Sequence, residues 1–121
     1  MSRKSPVCPI HEVIEVFARP WVLHILYALS MQGPARFSVL KSRIEGISAR
    51  LLAERLRLLE QQGFVYRNYE QTIPPTVTYG ITPRMKDVQR VLEELERVAR
   101  KWQEAEAAPN KNRERHAQAA H

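Results

Sequence analysis

Between Arg36 and Arg67 the chain places Arg36, Lys41, Arg43, Arg50, Arg55, Arg57 and Arg67 against Glu45, Glu54 and Glu60, a local excess of +4. Cations at this density gain affinity for a polyanion by releasing its condensed counterions, so such binding weakens steeply with salt. Two kinds of contact follow from the side-chain chemistry. A guanidinium fork matches the two acceptors on the major-groove edge of guanine. Contacts to phosphate instead position a protein without reading sequence. A solvated helix face is the plainer alternative, because arginine on a surface is common.

Spacing sorts these residues. Leu52, Leu56 and Leu59 form an inward stripe with Leu51 beside it, and Ser48 stands where a helix N-cap belongs. The opposite face carries Ala49, Arg50, Ala53, Glu54 and Arg57. Arg50 falls in the first turn, the part of a recognition helix that meets base edges. Ser48 can cap the helix or donate to a phosphate. Arg36, Lys41 and Arg67 are candidates for phosphate contacts.

Other chemistry finds little support. A single cysteine, Cys8, excludes an internal disulfide and a multi-cysteine zinc site. Cys8 precedes Pro9, so it is expected at a helix N-terminus, where the dipole and nearby Arg3 and Lys4 favour thiolate. It is either a redox-sensing group or a small inert capping residue. His11 and His24 fall on different helices and His116 and His121 near the end, so no metal-ligand spacing arises. Glu93-Glu94 reads as a solvated pair. There is no GxGxxG, no GxxxxGK[ST] and no Ser/His/Asp set at motif spacing, so neither a cofactor nor an enzyme is expected.

The elements that must hold these residues can be read in order. Ile10, Val13, Ile14 and Phe17 recur on one helix face beginning at Pro9. Pro20 starts a second helix with Val22, Ile25, Leu26 and Leu29 on one face, and Gly33-Pro34 stops it. Both helices are nearly apolar all round and are expected deep in the fold. A short helix follows, with Phe37, Leu40 and Ile44 inward and Lys41 and Arg43 outward. A break at Glu45-Gly46 leads to the basic helix, which Gly63 ends. Phe64–Glu70 then alternates in twos, as do Val77, Tyr79 and Ile81, with Pro74-Pro75 between them. This reads as a two-stranded ribbon with a protruding loop. Thr82-Pro83 starts a last helix carrying Met85, Val88, Leu92, Leu95, Ala99 and Trp102 as a heptad seam, widened by Val91 and Val98. Trp21 and Trp102 read as packing residues.

Composition sets the outer bounds. The 121 residues include 19 Lys or Arg and 13 Asp or Glu, a net charge of +6, with 44% hydrophobic and 26% charged. That is ordinary for a globular chain. The fold class expected is α+β, mainly α: residues 1–107 as one DNA-binding domain and 108–121 as a disordered polar tail. The longest apolar stretch, Trp21 to Leu29, is too short for a bilayer and is broken by His24. Met1-Ser-Arg-Lys-Ser has no signal-peptide core behind it, so a cytoplasmic protein without a membrane partner is expected.

A short helix, a tight turn, a basic helix and a ribbon make the layout of a winged helix-turn-helix. The strings Arg36-Phe37, Gly46-Ile47-Ser48, Arg50-Leu51-Leu52, Leu56-Arg57-Leu58-Leu59-Glu60, Gly63 and Val65-Tyr66-Arg67 resemble the HxlR-type winged-helix transcriptional regulators. So do Cys8-Pro9-Ile10, Trp21, Pro74-Pro75, Val77-Thr78-Tyr79 and Ile81-Thr82. The family is similar to the MarR regulators. The resemblance implies a homodimer on double-stranded DNA with a near-palindromic operator, joined by the first and last helices. It also implies that an N-terminal cysteine can sense oxidants or electrophiles. Arg19-Pro20 stands where the family usually has Gly-Lys, and Pro83-Arg84-Met85 where it commonly has Glu-Lys-Gly.

The heptad seam spans fewer than three repeats, too few for an isolated coiled coil, so it is expected to pack against the first helix of a partner subunit. The dimer interface then comprises Ile10, Val13, Ile14, Val88, Leu92, Leu95 and Trp102, and its two-fold axis sets the recognition helices about 34 Å apart. A small-molecule or electrophile effector fits this plan, although no residue demands one. Two rivals share the charge pattern: a winged-helix module that meets an acidic protein, and an architectural protein that binds DNA without sequence preference.

Overall fold

The computed structural model describes residues 8–107. The expected tail at 108–121, with His116 and His121, and the basic pair Arg3 and Lys4 lie outside them. The elements run α1 (His11–Phe17), α2 (Val22–Gln32), β1 (Ala35–Arg36), α3 (Phe37–Arg43), α4 (Ala49–Gln61), β2 (Val65–Glu70), β3 (Thr76–Ile81) and α5 (Pro83–Glu106). Contacts divide the chain into two compact units, one ending at Lys86 and one beginning at Asp87. Among the described residues, no single helix is long and apolar enough to cross a membrane.

In the first unit, α2 supplies Val22, Ile25, Leu26 and Leu29 to the core, and Leu40, Ile44, Ile47, Leu52, Leu56, Leu59, Phe64, Val65 and Met85 join them. No polar or charged residue is buried among the described residues. A helix as short as α4 would be marginal alone. Its three buried leucines, each contributing roughly 1.5–3 kcal/mol, hold it in place.

Several expectations need correction. The first helix begins at His11 rather than Pro9, and the second at Val22 rather than Pro20. Trp21 is the N-cap of α2, with a left-handed φ of 75°. Of the two helices expected to lie deep, only α2 does. α1 has no buried residue, and Ile10 and Ile14 are half exposed. The two-stranded ribbon is the larger part of a three-stranded antiparallel sheet in the order β1-β3-β2. β1 was not legible because two residues carry no period; it exists only because Ala35 and Arg36 pair with Tyr79 and Thr78.

The base of the sheet is fastened by side chains. The Phe17 and Phe64 rings meet edge-on at 5.1 Å, joining α1 to the start of the ribbon, and the Arg84 guanidinium lies 4.7 Å above the Phe64 ring. Thr82 Oγ1 donates to the Gly63 carbonyl at 2.6 Å and accepts from the Met85 amide at 3.2 Å. One hydroxyl therefore caps α5, as expected, and ties it to the end of α4. In the second unit α5 buries Leu92 but leaves Val91, Leu95 and Trp102 more than half exposed. Trp102 therefore does not pack into the core of the described protomer.

Candidate nucleic-acid interface

The N-terminus of α4 is built as its sequence requires. Ser48 is extended and its hydroxyl accepts from the Leu51 amide at 3.1 Å, satisfying one of the orphan donors of the first turn. With Leu52, Leu56 and Leu59 turned inward, Ala49, Arg50, Glu54 and Arg57 are exposed and Ala53 is half-buried between them. The Arg50 side chain is 90% exposed, and its Nε lies 3.5 Å from Glu54 Oε2 one turn on. An ion pair this open contributes little to stability and is readily exchanged for another acceptor. Lys41, in the last turn of α3, is also exposed.

Two arginines of the cluster belong to the scaffold. Arg43, expected to point outward, turns back so that Nη1 donates to the Gly33 carbonyl at 2.8 Å, closing the α2 terminus against α3. Arg55 Nε donates to the Pro20 carbonyl at 2.8 Å, tying α4 to the corner between α1 and α2. Helical periodicity separates inward from outward positions. It cannot show that a flanking arginine has a carbonyl within reach, because that carbonyl comes from a distant part of the chain.

The sheet divides Arg36 from Arg67. Arg36 pairs with Thr78, which pairs with Asn68 on its other side, whereas Arg67 pairs with Tyr79, which pairs with Ala35. Directly opposed residues share a face and successive residues alternate. Arg36 therefore lies in a polar row with Thr78 and Asn68, and Arg67 on the opposite face. Asn68 and Thr78 carry no charge signal, and only the β1 pairing places them beside Arg36.

Cys8 is exposed, and its carbonyl accepts from the His11 amide at 3.2 Å in the turn that leads into α1. His11 Nε2 lies 3.3 Å from Glu15 Oε2 on the same helix. The described residues contain no cluster of His, Cys, Asp or Glu able to hold a metal ion.

This arrangement matches known proteins throughout. The HxlR-like helix-turn-helix family matches residues 16–107. The HTH-type transcriptional regulator sll1512 of Synechocystis is 33% identical over 101 residues, covering 84% of this chain and 74% of its own length. Among solved structures, a MarR-family transcriptional regulator from Porphyromonas gingivalis superposes with a TM-score of 0.71 at 26% identity, covering 82% of this chain and 96% of that one. The reduced form of the transcriptional regulator YodB from B. subtilis superposes with a TM-score of 0.68 at 33% identity, covering 77% and 91%. All three of these relatives are transcriptional regulators.

Proposed function

The chain belongs to the HxlR-like helix-turn-helix family of DNA-binding transcriptional regulators, and from that premise we propose that it acts as a homodimer on a near-palindromic operator, read by the exposed face of α4. One observation carries this reading: the same short helix buries three leucines and holds Arg50, ion-paired only to the exposed Glu54, out in solvent at its capped first turn. Arg50 pairs with guanine, and Ser48, Ala49, Ala53, Glu54 and Arg57 complete the surface that enters the major groove. Lys41, Arg36 and Arg67 supply phosphate contacts, the two arginines from opposite faces of the sheet.

Apolar side chains left in water support the dimer. Ile10 and Ile14 on α1, and Val91, Leu95 and Trp102 on α5, are each at least half exposed. Together with Val13 and Val88 they form the interface with the second copy, beside Leu92, which the protomer already buries. Cys8 is the thiol through which an oxidant or electrophile acts, a reading supported by its exposure and by the likeness to YodB, whose structure is described as a reduced form.

The test is selection of bound duplexes from a randomised pool at rising salt. A regulator retains one preferred, two-fold symmetric sequence after nonspecific binding fades. An architectural binder retains none, and a module for acidic proteins enriches nothing. Arg50→Ala is expected to relax the preference at one position in each half-site, at a cost of about 1–3 kcal/mol.

A further inference from the structure

Arg50 and Glu54 stand in an order that does not serve their own helix. Arg50 is the second residue of α4, whose first turn contains no acidic residue. A helix N-terminus carries partial positive charge, so a cation there is disfavoured and an anion favoured. The i,i+4 pair is also better with the acid first. A sequence selected for helix stability would reverse the two. The side chains meet nonetheless, with Arg50 Nε 3.5 Å from Glu54 Oε2. Arg57 stands exposed three residues beyond Glu54, yet the carboxylate turns back toward Arg50.

Which nitrogen meets the carboxylate matters. A guanidinium has five N–H donors, one on Nε and two on each Nη. With Nε turned to Glu54, the Nη edge stays available at the outer end of a side chain that is 90% exposed. That edge matches O6 and N7 of guanine. An arginine without such a neighbour reaches a phosphate as readily, and phosphate carries no sequence information.

We propose that Glu54 is a positioning residue: it holds Arg50 by Nε, aims the Nη edge at one guanine of each half-site, and penalises any register in which Arg50 leaves for the backbone. This rests on the reading of α4 given above, and it gives Glu54 a contact with Arg50 rather than with a base. The pair is weak in water. Between the groove walls the effective dielectric falls and the same two charges attract more strongly. If Arg50 moves to a phosphate instead, the Glu54 carboxylate is stranded beside like charge, a cost that falls on nonspecific complexes alone. One acidic side chain thus sharpens base preference while lowering affinity for random duplex.

The experiment compares the parent, Glu54→Ala, Glu54→Gln, Arg50→Ala and the double variant Arg50→Ala/Glu54→Ala. Each undergoes selection from randomised duplexes and is then titrated with the selected and a random duplex over a salt series. Both side chains are exposed, so the variants should fold, and thermal midpoints close to the parent's verify this. Glu54→Ala should enrich the parental core with weakened preference at the same position that Arg50→Ala relaxes, discrimination there falling about tenfold. It should bind random duplex more tightly, with a salt slope steeper by about one as Arg50 gains a phosphate. Glu54→Gln, which keeps the shape and an acceptor, should do the same by a smaller factor. In the Arg50→Ala background, Glu54→Ala should leave base preference unchanged, because there is no guanidinium to hold. Parental preference at the Arg50 position in Glu54→Ala overturns the proposal. So does loss of preference at a different position in either background, which would make Glu54 a direct reader of a cytosine amino group. If the parent selects no core, or Arg50→Ala relaxes no position, the reading of α4 itself fails and the role of Glu54 with it.

Discussion

Tyr66 and Gly80 are paired directly across β2 and β3, and the tyrosine ring occupies the space that a side chain at Gly80 would need. Gly80 has no left-handed backbone; the absence of a Cβ is what lets the ring lie over it. Gly80 is buried beneath the ring although Tyr66 is 38% exposed. The ribbon thus gains a cross-strand aromatic cover near its base, well before the loop at Pro74-Pro75.

Gly80→Ala should displace the ring and destabilise the protein by about 1 kcal/mol, the scale of a cross-strand pair. In Tyr66→Ala the same glycine change should cost much less, because the obstacle is gone. Urea denaturation of the parent, both single variants and the double variant gives the coupling. Strict additivity would show that the ring and the glycine do not constrain each other.

Arg55 and Lys41 separate structural from electrostatic roles. Arg55→Ala loses the hydrogen bond to the Pro20 carbonyl and should lower stability by about 1 kcal/mol without changing the salt dependence of DNA binding. Lys41→Ala should leave the thermal midpoint within error and reduce the salt slope by about one. Exchange of these two outcomes would contradict the assignment of Arg55 to the scaffold.

Leu95→Glu places a charge on an exposed apolar position of α5, so the protomer should still fold. Sedimentation should show a monomer, with operator affinity reduced at least tenfold because two linked reading heads have become one. A monomer that binds as tightly as the parent refutes the dimer.

Alkylation of Cys8 tests the thiol. Modification should reach completion quickly, because the residue is exposed, and should change operator affinity if Cys8 is the sensing group. Complete modification with unchanged affinity dismisses that role, and Cys8→Ser that no longer responds to the reagent supports it.

Much of the outward face of α4 was legible because helix periodicity is a local property. Ser48, the three inward leucines and the outward Arg50 follow from side chains three and four apart on a helix, and the cap is made as expected. The last helix was legible for the same reason, with Thr82 as its cap. The ribbon strands followed from their period of two and the prolines between them. Elements without a period escaped. β1 is defined by its partner strand, and the left-handed Trp21 by the corner in which it sits. The depth of α1 was misjudged because an apolar helix face looks the same in sequence whether its own core covers it or leaves it at the surface.

The sequence alone determined the order of the helices and of the two ribbon strands, the helix that offers Arg50, and the family, because these rest on neighbours along the chain and on motif spacing. Tertiary structure decided which cations are free. It turned Arg43 to the Gly33 carbonyl and Arg55 to the Pro20 carbonyl, and it set Arg36 and Arg67 on opposite faces of one sheet. The physical reason is that charge is counted residue by residue, whereas its availability depends on acceptors that only folding brings within hydrogen-bonding distance.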